Sequence, residues 1–272
     1  MISLLFGLVV GFSLGLTGGG GSIFAVPLLV YGLAMPPREA VGVSLVAVGA
    51  TALAGAIPRL RRGEVEVKAA LLFGLVGIVG APLGAAFGVK LPASTLLGGF
   101  AVLMVLVATR MWRQAIRCPA ETEIVRAGGD SSSAATGAAC RIDPARGLTL
   151  TSRCALMLGF SGLATGLLSG LFGVGGGFLI VPALVLVASL PMQRAVATSL
   201  LVIAIVSAAG SASYVVAGQS LNLPVTSLFV VGGLGGMGLG AKLSRRLAGP
   251  QLQKLFAAAM VGVALYMLGR IW

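Results

Sequence analysis

Long stretches of this chain contain no charged residue. The uncharged segments are 1–37, 40–58, 69–89, 91–109, 154–193, 195–241 and 255–269. A helix needs about 20 apolar residues to cross the hydrocarbon core of a bilayer, so most of these segments are long enough to span it. They are continuously apolar and do not alternate, which excludes a transmembrane β-barrel. The pattern predicts an all-α polytopic membrane protein.

Two of the apolar segments carry the same interruption. Residues 18–27 read GGGGSIFAVP and residues 173–182 read GVGGGFLIVP, so that the two prolines lie 155 positions apart. Other identities keep this offset, among them Ser44 with Ser199. Two halves that break a hydrophobic segment at the same place are typical of a duplicated transporter, in which the break marks the binding site.

The hydrophobic pattern divides the chain into three parts. A first membrane repeat over residues 1–112 and a second over 153–272 flank a polar linker, 113–152, which has no apolar period and is expected to be flexible. Each repeat is expected to hold a glycine-broken or re-entrant first segment plus three transmembrane helices. These helices are expected at about 40–58, 69–89 and 93–112, and at about 195–217, 224–243 and 252–271.

The orientation of the second half relative to the first depends on how many times the broken segment crosses the membrane. A single crossing gives parallel halves, whereas a re-entrant hairpin or two tilted crossings give inverted halves. With the linker and the 59–68 loop in the cytoplasm, inverted halves place 16 Lys and Arg residues inside and 3 outside, against 12 and 7 for parallel halves. Basic residues prefer cytoplasmic loops. Inverted repeats, with both termini outward, are therefore predicted.

Composition narrows the function. Mean hydropathy is +1.05 and only 10% of residues are charged, so the net charge of +12 is attributed to cytoplasmic loops and not to nucleic-acid binding. The chain has no His and three unevenly spaced Cys, which argues against a metal site, a cofactor or enzymatic acid–base chemistry. The first residues lack a basic n-region and are read as the first span, not as a signal peptide.

The glycine breaks are predicted to bind a small anion. Glycine runs interrupt a helix, and the segment after each run is again helix-compatible, so each break is expected to expose backbone N–H groups at a helix N-terminus. No Asp or Glu lies inside a predicted membrane span, which argues against a cation carrier. The candidate substrate-binding residues are Gly18, Gly19, Gly20, Gly21, Ser22, Ser44, Gly173, Gly175, Gly176, Gly177, Thr198 and Ser199. Further hydroxyls at comparable depth are Thr17 and Ser169.

Other interpretations of the glycines and arginines remain open. A dinucleotide or phosphate loop is disfavoured because no strand precedes either run, and close helix packing is the simplest alternative. Packing is the preferred interpretation for two further stripes at four-residue spacing, Gly80, Gly84 and Gly88 and Gly232, Gly236 and Gly240. Arg38 and Arg194 either attract anions at the two entrances to the predicted anion site or flank spans at the membrane interface.

The chain resembles the TauE/SafE family of sulfite and organosulfonate exporters over nearly its whole length. The resemblance rests on GLTGGGGSIFAVPLLV at 15–30 followed by AVGVSL at 40–45, and on GLFGVGGGFLIVPALV at 170–185 followed by AVATSL at 195–200. It implies a secondary transporter of small anions such as sulfite, thiosulfate or sulfonates, multi-pass in the cell (inner) membrane. The family's glycine motifs fall on residues 18–22, here the first break, and on 173–177, the second break.

The membrane potential indicates a direction of transport. A negative-inside potential favours exit of an anion, which suits export without a coupling residue. The alternatives are an uptake permease coupled to protons and a non-transporting scaffold subunit. The expected partners are the anionic substrate and the lipid bilayer, with no nucleic acid; a homodimer is left open.

Overall fold

The structure is a computed structural model. It describes residues 2–117, 141–143, 147–149, 152–172, 177–188, 190, 192–219, 221–244, 258, 261–266 and 269. Most of the linker and of the last expected span, 252–271, lies outside these ranges, although residues 261–266 within that span are helical.

The first half forms a series of helices. They are α1 (Ile2–Thr17), α3 (Pro37–Arg61), α4 (Val67–Lys90) and α5 (Ala93–Arg117). Between α1 and α3 lies a segment named α2, which joins a 3-10 helix (Gly20–Phe24), an α-helical turn (Ala25–Pro27) and a π-helical turn (Leu28–Gly32). The break therefore changes the type of helix as well as interrupting it.

The second half repeats this order. Its helices are α6 (Ser152–Phe172), α7 (Gly177–Ala188), α8 (Met192–Val216) and α9 (Leu223–Ser244). Two short strands in the linker, β1 (Arg141–Asp143) and β2 (Gly147–Thr149), pair antiparallel with Ile142 opposite Leu148.

Five helices are long and apolar enough to cross a membrane. They cover Pro37–Arg61, Val67–Gly88, Ala155–Phe172, Gln193–Val216 and Leu223–Leu243. The prediction of a helical, multi-pass membrane protein is confirmed. The predicted bounds differ in detail, because α3 starts on Pro37, whose fixed φ suits a first helical position, and continues through Pro58 to Arg61.

A seam of glycines joins α1 to α9. A Cβ at Gly7 would overlap the carbonyl of Phe229, and a Cβ at Gly15 would stand 2.7 Å from the carbonyl oxygen of Met237. Both helices advance by eight residues between these contacts, so they run parallel. Small residues allow this close approach, which is how membrane helices gain packing contacts in lipid.

An equivalent seam joins α4 to α6. A Cβ at Gly162 would lie 2.6 Å from the carbonyl oxygen of Phe73, and a Cβ at Gly170 would overlap the carbonyl of Ala81. These helices are also parallel. The first helix of each half thus packs on the helix of the other half that corresponds to α4 or α9: α1 packs on α9, and α6 packs on α4. The two four-residue glycine stripes of the sequence lie on these seams.

The central pair, α3 and α8, is antiparallel. Gly42 contacts the Tyr214 ring, and a Cβ at Gly49 would lie 2.9 Å from Ser207 Cβ, so one helix advances as the other retreats. The Tyr214 Oη donates a hydrogen bond to the Arg38 carbonyl, 2.9 Å away, at the start of α3.

The remaining contacts give the directions of the helices. Gly55 meets Met237 and Thr51 meets Gly233, so α3 runs parallel to α9 and hence to α1. Because α1 and α3 run the same way, residues 18–36 must return the chain to the end at which α1 began. On the other side of the bundle, contacts such as Gly74 with Ile205 belong to the α4–α8 pair.

One local motif recurs in both halves. The Met35 N–H donates to the Leu29 carbonyl at 3.2 Å, and the Leu190 N–H donates to the Leu184 carbonyl at 3.3 Å. Each bond joins residues six positions apart, one position more than in a Schellman motif, and lies at the C-terminal end of α2 or α7. The donors and the acceptors are each 155 positions apart, which is the offset of the sequence repeat.

Candidate functional site

The first break opens with a left-handed glycine. The Gly18 N–H closes α1 by donating to the Leu14 carbonyl at 2.8 Å, and Gly18 then adopts φ of +73°. Side chains are strained in that conformation. A Cβ there would also overlap the Val196 side chain. Glycine is therefore required at position 18 both by the backbone and by the neighbour.

The second half covers this break with α8. The Ser199 hydroxyl donates to the Gly18 carbonyl at 2.7 Å and to the Val196 carbonyl at 2.9 Å. Ser199 is fully buried, so the bond satisfies a carbonyl that α1 has released. Of the predicted site residues, Ser199 is thus held directly at the first break.

The two breaks touch through backbone atoms. A Cβ added at Gly177 would lie 2.8 Å from both the Cα and the carbonyl oxygen of Gly19, and one at Gly19 would overlap the Gly177 carbonyl. Gly19 immediately precedes the 3-10 helix of α2, and Gly177 is the first residue of α7. The N-terminal ends of two short helices, one from each half, therefore meet.

Ser22 and Gly19 form the first turn of α2 at this meeting point. The Ser22 N–H, at 3.4 Å, and the Ser22 hydroxyl, at 2.7 Å, both donate to the Gly19 carbonyl. Both residues are buried. Buried N–H groups at a helix N-terminus, where the dipole is positive, suit an anionic ligand.

The other predicted site residues are distributed around this point. Gly20 begins the 3-10 helix, and the buried Ser44 donates to the Val41 carbonyl at 3.0 Å. The Thr198 hydroxyl accepts a hydrogen bond from the Glu66 N–H at 3.0 Å, so the Thr198 side chain is directed to the α3–α4 loop. Gly173, Gly175 and Gly176 lie outside the described residues.

An ion pair links the two halves near Thr198. Arg194 Nη1 lies 2.7 Å from Glu66 Oε1, with the arginine side chain 48% exposed and the glutamate 14%. The sequence suggested that Arg194 either attracts anions or flanks a span at the membrane interface, and neither role involved the Glu66 carboxylate. Because the pair joins the α3–α4 loop to the first turn of α8, it ties one half to the other at this end.

Three buried polar atoms lack a partner in the described part of the chain. They are the Ser169 and Ser207 hydroxyls and Arg59 Nη1. The sequence reasoning assigned Arg59 to a cytoplasmic loop and gave no role to Ser207. For Arg59 the available signal is its spacing of three and four residues from Ala56 and Gly55, which continues the buried face of α3.

A mainly apolar cleft of about 430 Å³ lies between α3 and α8, with Leu45, Gly49, Ala204 and Ser211 in its walls. Among the residues that the structure describes, no group of three metal-ligating side chains occurs.

A bundle of apolar helices in two halves, each with a broken helix that meets the other near its N-terminus, defines the class of multi-pass membrane transport proteins. The chain belongs to the sulfite exporter TauE/SafE family, whose model matches residues 3–267. The resemblance seen in the sequence is confirmed, and the chain is a membrane transporter of this family.

Curated relatives carry matching names. A Xylella fastidiosa (strain Temecula1) "probable membrane transporter protein" is 35% identical over 97% of this chain and 93% of that protein. YunE of Bacillus subtilis, also a "probable membrane transporter protein", is 28% identical over 91% of this chain and 89% of its own. MamO of Magnetospirillum gryphiswaldense is 31% identical over 93% of this chain but only 42% of MamO. No solved structure matches the chain.

Proposed function

We propose that this protein exports small oxyanions, sulfite or organosulfonates foremost, across the cell (inner) membrane, and holds the anion at the glycine breaks. The observation that carries the proposal is the contact of Gly19 with Gly177, which joins two helix N-termini from different halves. Each N-terminus carries roughly half a positive charge, so two of them attract one small anion without any charged side chain.

The charge distribution of the spans supports an anionic cargo. Within the described helices the only acidic residue is Glu39, in the first turn of α3. Cation and proton carriers usually hold a carboxylate within the membrane. Export of an anion needs no such residue, because a potential of 100 mV, negative inside, contributes about 2.3 kcal/mol per charge.

We further propose that the halves are inverted repeats that work by alternating access. The support is directional: α3 and α8 occupy equivalent places in the two halves and run antiparallel. A repeat axis in the membrane plane produces this arrangement, whereas an axis along the membrane normal leaves equivalent helices parallel. A reporter fused to the C-terminus should therefore lie on the side of the membrane opposite to one inserted in the linker. Reporters on the same side would contradict the inverted arrangement.

The function is tested by flux in proteoliposomes. Labelled sulfite and a labelled sulfonate are supplied under an imposed potential without an ion gradient. Saturable, potential-driven movement of either anion supports the proposal and identifies its class. Movement that appears only with a proton gradient favours coupled uptake, and no movement with any gradient favours a scaffold.

A variant of the break links flux to the site. Gly19→Ala places a methyl group against the Gly177 carbonyl, whereas Gly98→Ala, in α5, meets nothing within 4 Å. We expect Gly19→Ala to lose flux and Gly98→Ala to keep it, with both proteins inserted and monodisperse. Equal flux in the two variants would mean that the contact between the two breaks is not needed for transport.

A further inference from the structure

Arg59 occupies an unusual position for a basic residue at the end of a spanning helix. Ala52, Gly55 and Ala56 are buried on one face of α3, and Arg59 continues that face. Its neighbours Arg61 and Arg62 are exposed, whereas Arg59 is partly buried and its Nη1 is fully enclosed by protein. The side chain therefore does not simply extend into water as the other two do.

The guanidinium of Arg59 forms no ion pair in the described part of the chain. Nη1 makes no hydrogen bond, and no carboxylate lies within ion-pair distance of the group. Glu66, on the following loop, is already paired with Arg194. The Glu64 N–H donates to the Arg59 carbonyl at 3.1 Å, and the Glu64 carboxylate attracts the guanidinium from beyond ion-pair distance. An enclosed guanidinium N–H without an acceptor is costly, so Nη1 calls for an anionic ligand that Glu64 does not supply by direct contact.

The register of α3 on α8 locates Arg59 relative to the first break. Gly55 lies opposite Leu200, and the two helices are antiparallel, so one turn further along α3 brings Arg59 level with Val196. The Val196 side chain packs against Gly18. Arg59 thus lies at about the level of Gly18 along the bundle, next to the α3–α4 loop.

We infer that Arg59 binds the transported oxyanion at the mouth of the first break, on the side of the membrane where α3 ends. The inference rests on the proposed anion transport and adds a residue to its path. The guanidinium presents five N–H donors in a planar fork that matches an oxyanion. A lipid headgroup phosphate offers the same chemistry, and the experiment separates the two sources.

The test compares Arg59→Gln, Arg59→Lys and the matched control Arg62→Gln in proteoliposomes, with labelled sulfite supplied from the side of the α3–α4 loop. We expect Arg59→Gln to raise the KM for sulfite at least tenfold, because a charge-assisted hydrogen bond to the anion is lost. Arg59→Lys keeps the charge and should recover part of the affinity. Arg62→Gln should stay within twofold of the unmodified protein.

Three results would overturn the inference. One is an unchanged KM in Arg59→Gln while the unmodified protein transports sulfite. Another is an equal rise in KM for Arg62→Gln, which would mean that the surface charge as a whole attracts the anion. The third is loss of co-purified phospholipid phosphorus from Arg59→Gln with KM unchanged, which would assign Arg59 to a headgroup. If the unmodified protein moves no oxyanion at all, the proposed function itself fails, and the arginine variants are not needed to see it.

Discussion

The packing of α1 on α9 makes a quantitative prediction about two adjacent glycines. A Cβ at Gly236 would overlap the Leu8 carbonyl and stand 2.6 Å from the Phe12 nitrogen, whereas a Cβ at Gly235 would meet nothing within 4 Å. Both alanine variants gain the same intrinsic helix propensity, so that gain cancels when they are compared. The difference between them isolates the overpacking of the seam, about 1–3 kcal/mol.

The assay is reversible unfolding in mixed micelles, followed by helical circular dichroism. We expect Gly236→Ala to unfold with a free energy about 1–3 kcal/mol below that of Gly235→Ala. The backbone of α1 cannot rotate away from the added methyl group as a side chain would, which is why relaxation is limited. Equal stabilities would refute the close approach of α1 and α9, since an open seam tolerates alanine at both positions.

Four further substitutions test three individual contacts. Ser199→Ala leaves the buried Gly18 carbonyl without its donor and should lower the free energy of unfolding by about 1–3 kcal/mol; an unchanged value would mean that the bond is absent. Tyr214→Phe removes one hydrogen bond at the start of α3 and should cost about 1 kcal/mol in the same assay, with no loss suggesting that the hydroxyl is solvated. Arg194→Gln and Glu66→Gln, combined in a double-mutant cycle, should give a coupling below about 1 kcal/mol that declines with salt, because the arginine is half exposed. A larger, salt-independent coupling would contradict that exposure.

The faces of the helices could be predicted from sequence, but their partners could not. Four-residue glycine spacing marks a face for close approach, and the stripe containing Gly236 does lie in a seam. The pattern does not say that its partner is α1, at the other end of the chain. Spacing reports what one helix offers, whereas the partner depends on the order in which the whole bundle is assembled.

The candidate site shows the same division. The repeated glycine run located the point at which Gly19 and Gly177 meet, because a run that cannot sustain a helix is visible in one dimension. The position of a residue along a helix, however, does not tell in which direction its side chain points. The Thr198 hydroxyl accepts a hydrogen bond from the Glu66 N–H, so it is directed to the α3–α4 loop. Arg59 was assigned to a loop because the uncharged segment ends at residue 58, yet α3 continues to Arg61.

The exchange of first helices between the halves bears on how the protein is made. The contact of Gly11 with Gly233 joins residues 222 positions apart. At a synthesis rate of ~5–20 residues per second, α1 waits about 10–45 s in the bilayer before α9 emerges. During that interval its glycine face has only lipid or the translocation machinery beside it. The seam between α1 and α9 closes only after α9 has been synthesised, so a product truncated before α9 would leave α1 without its seam and be open to degradation.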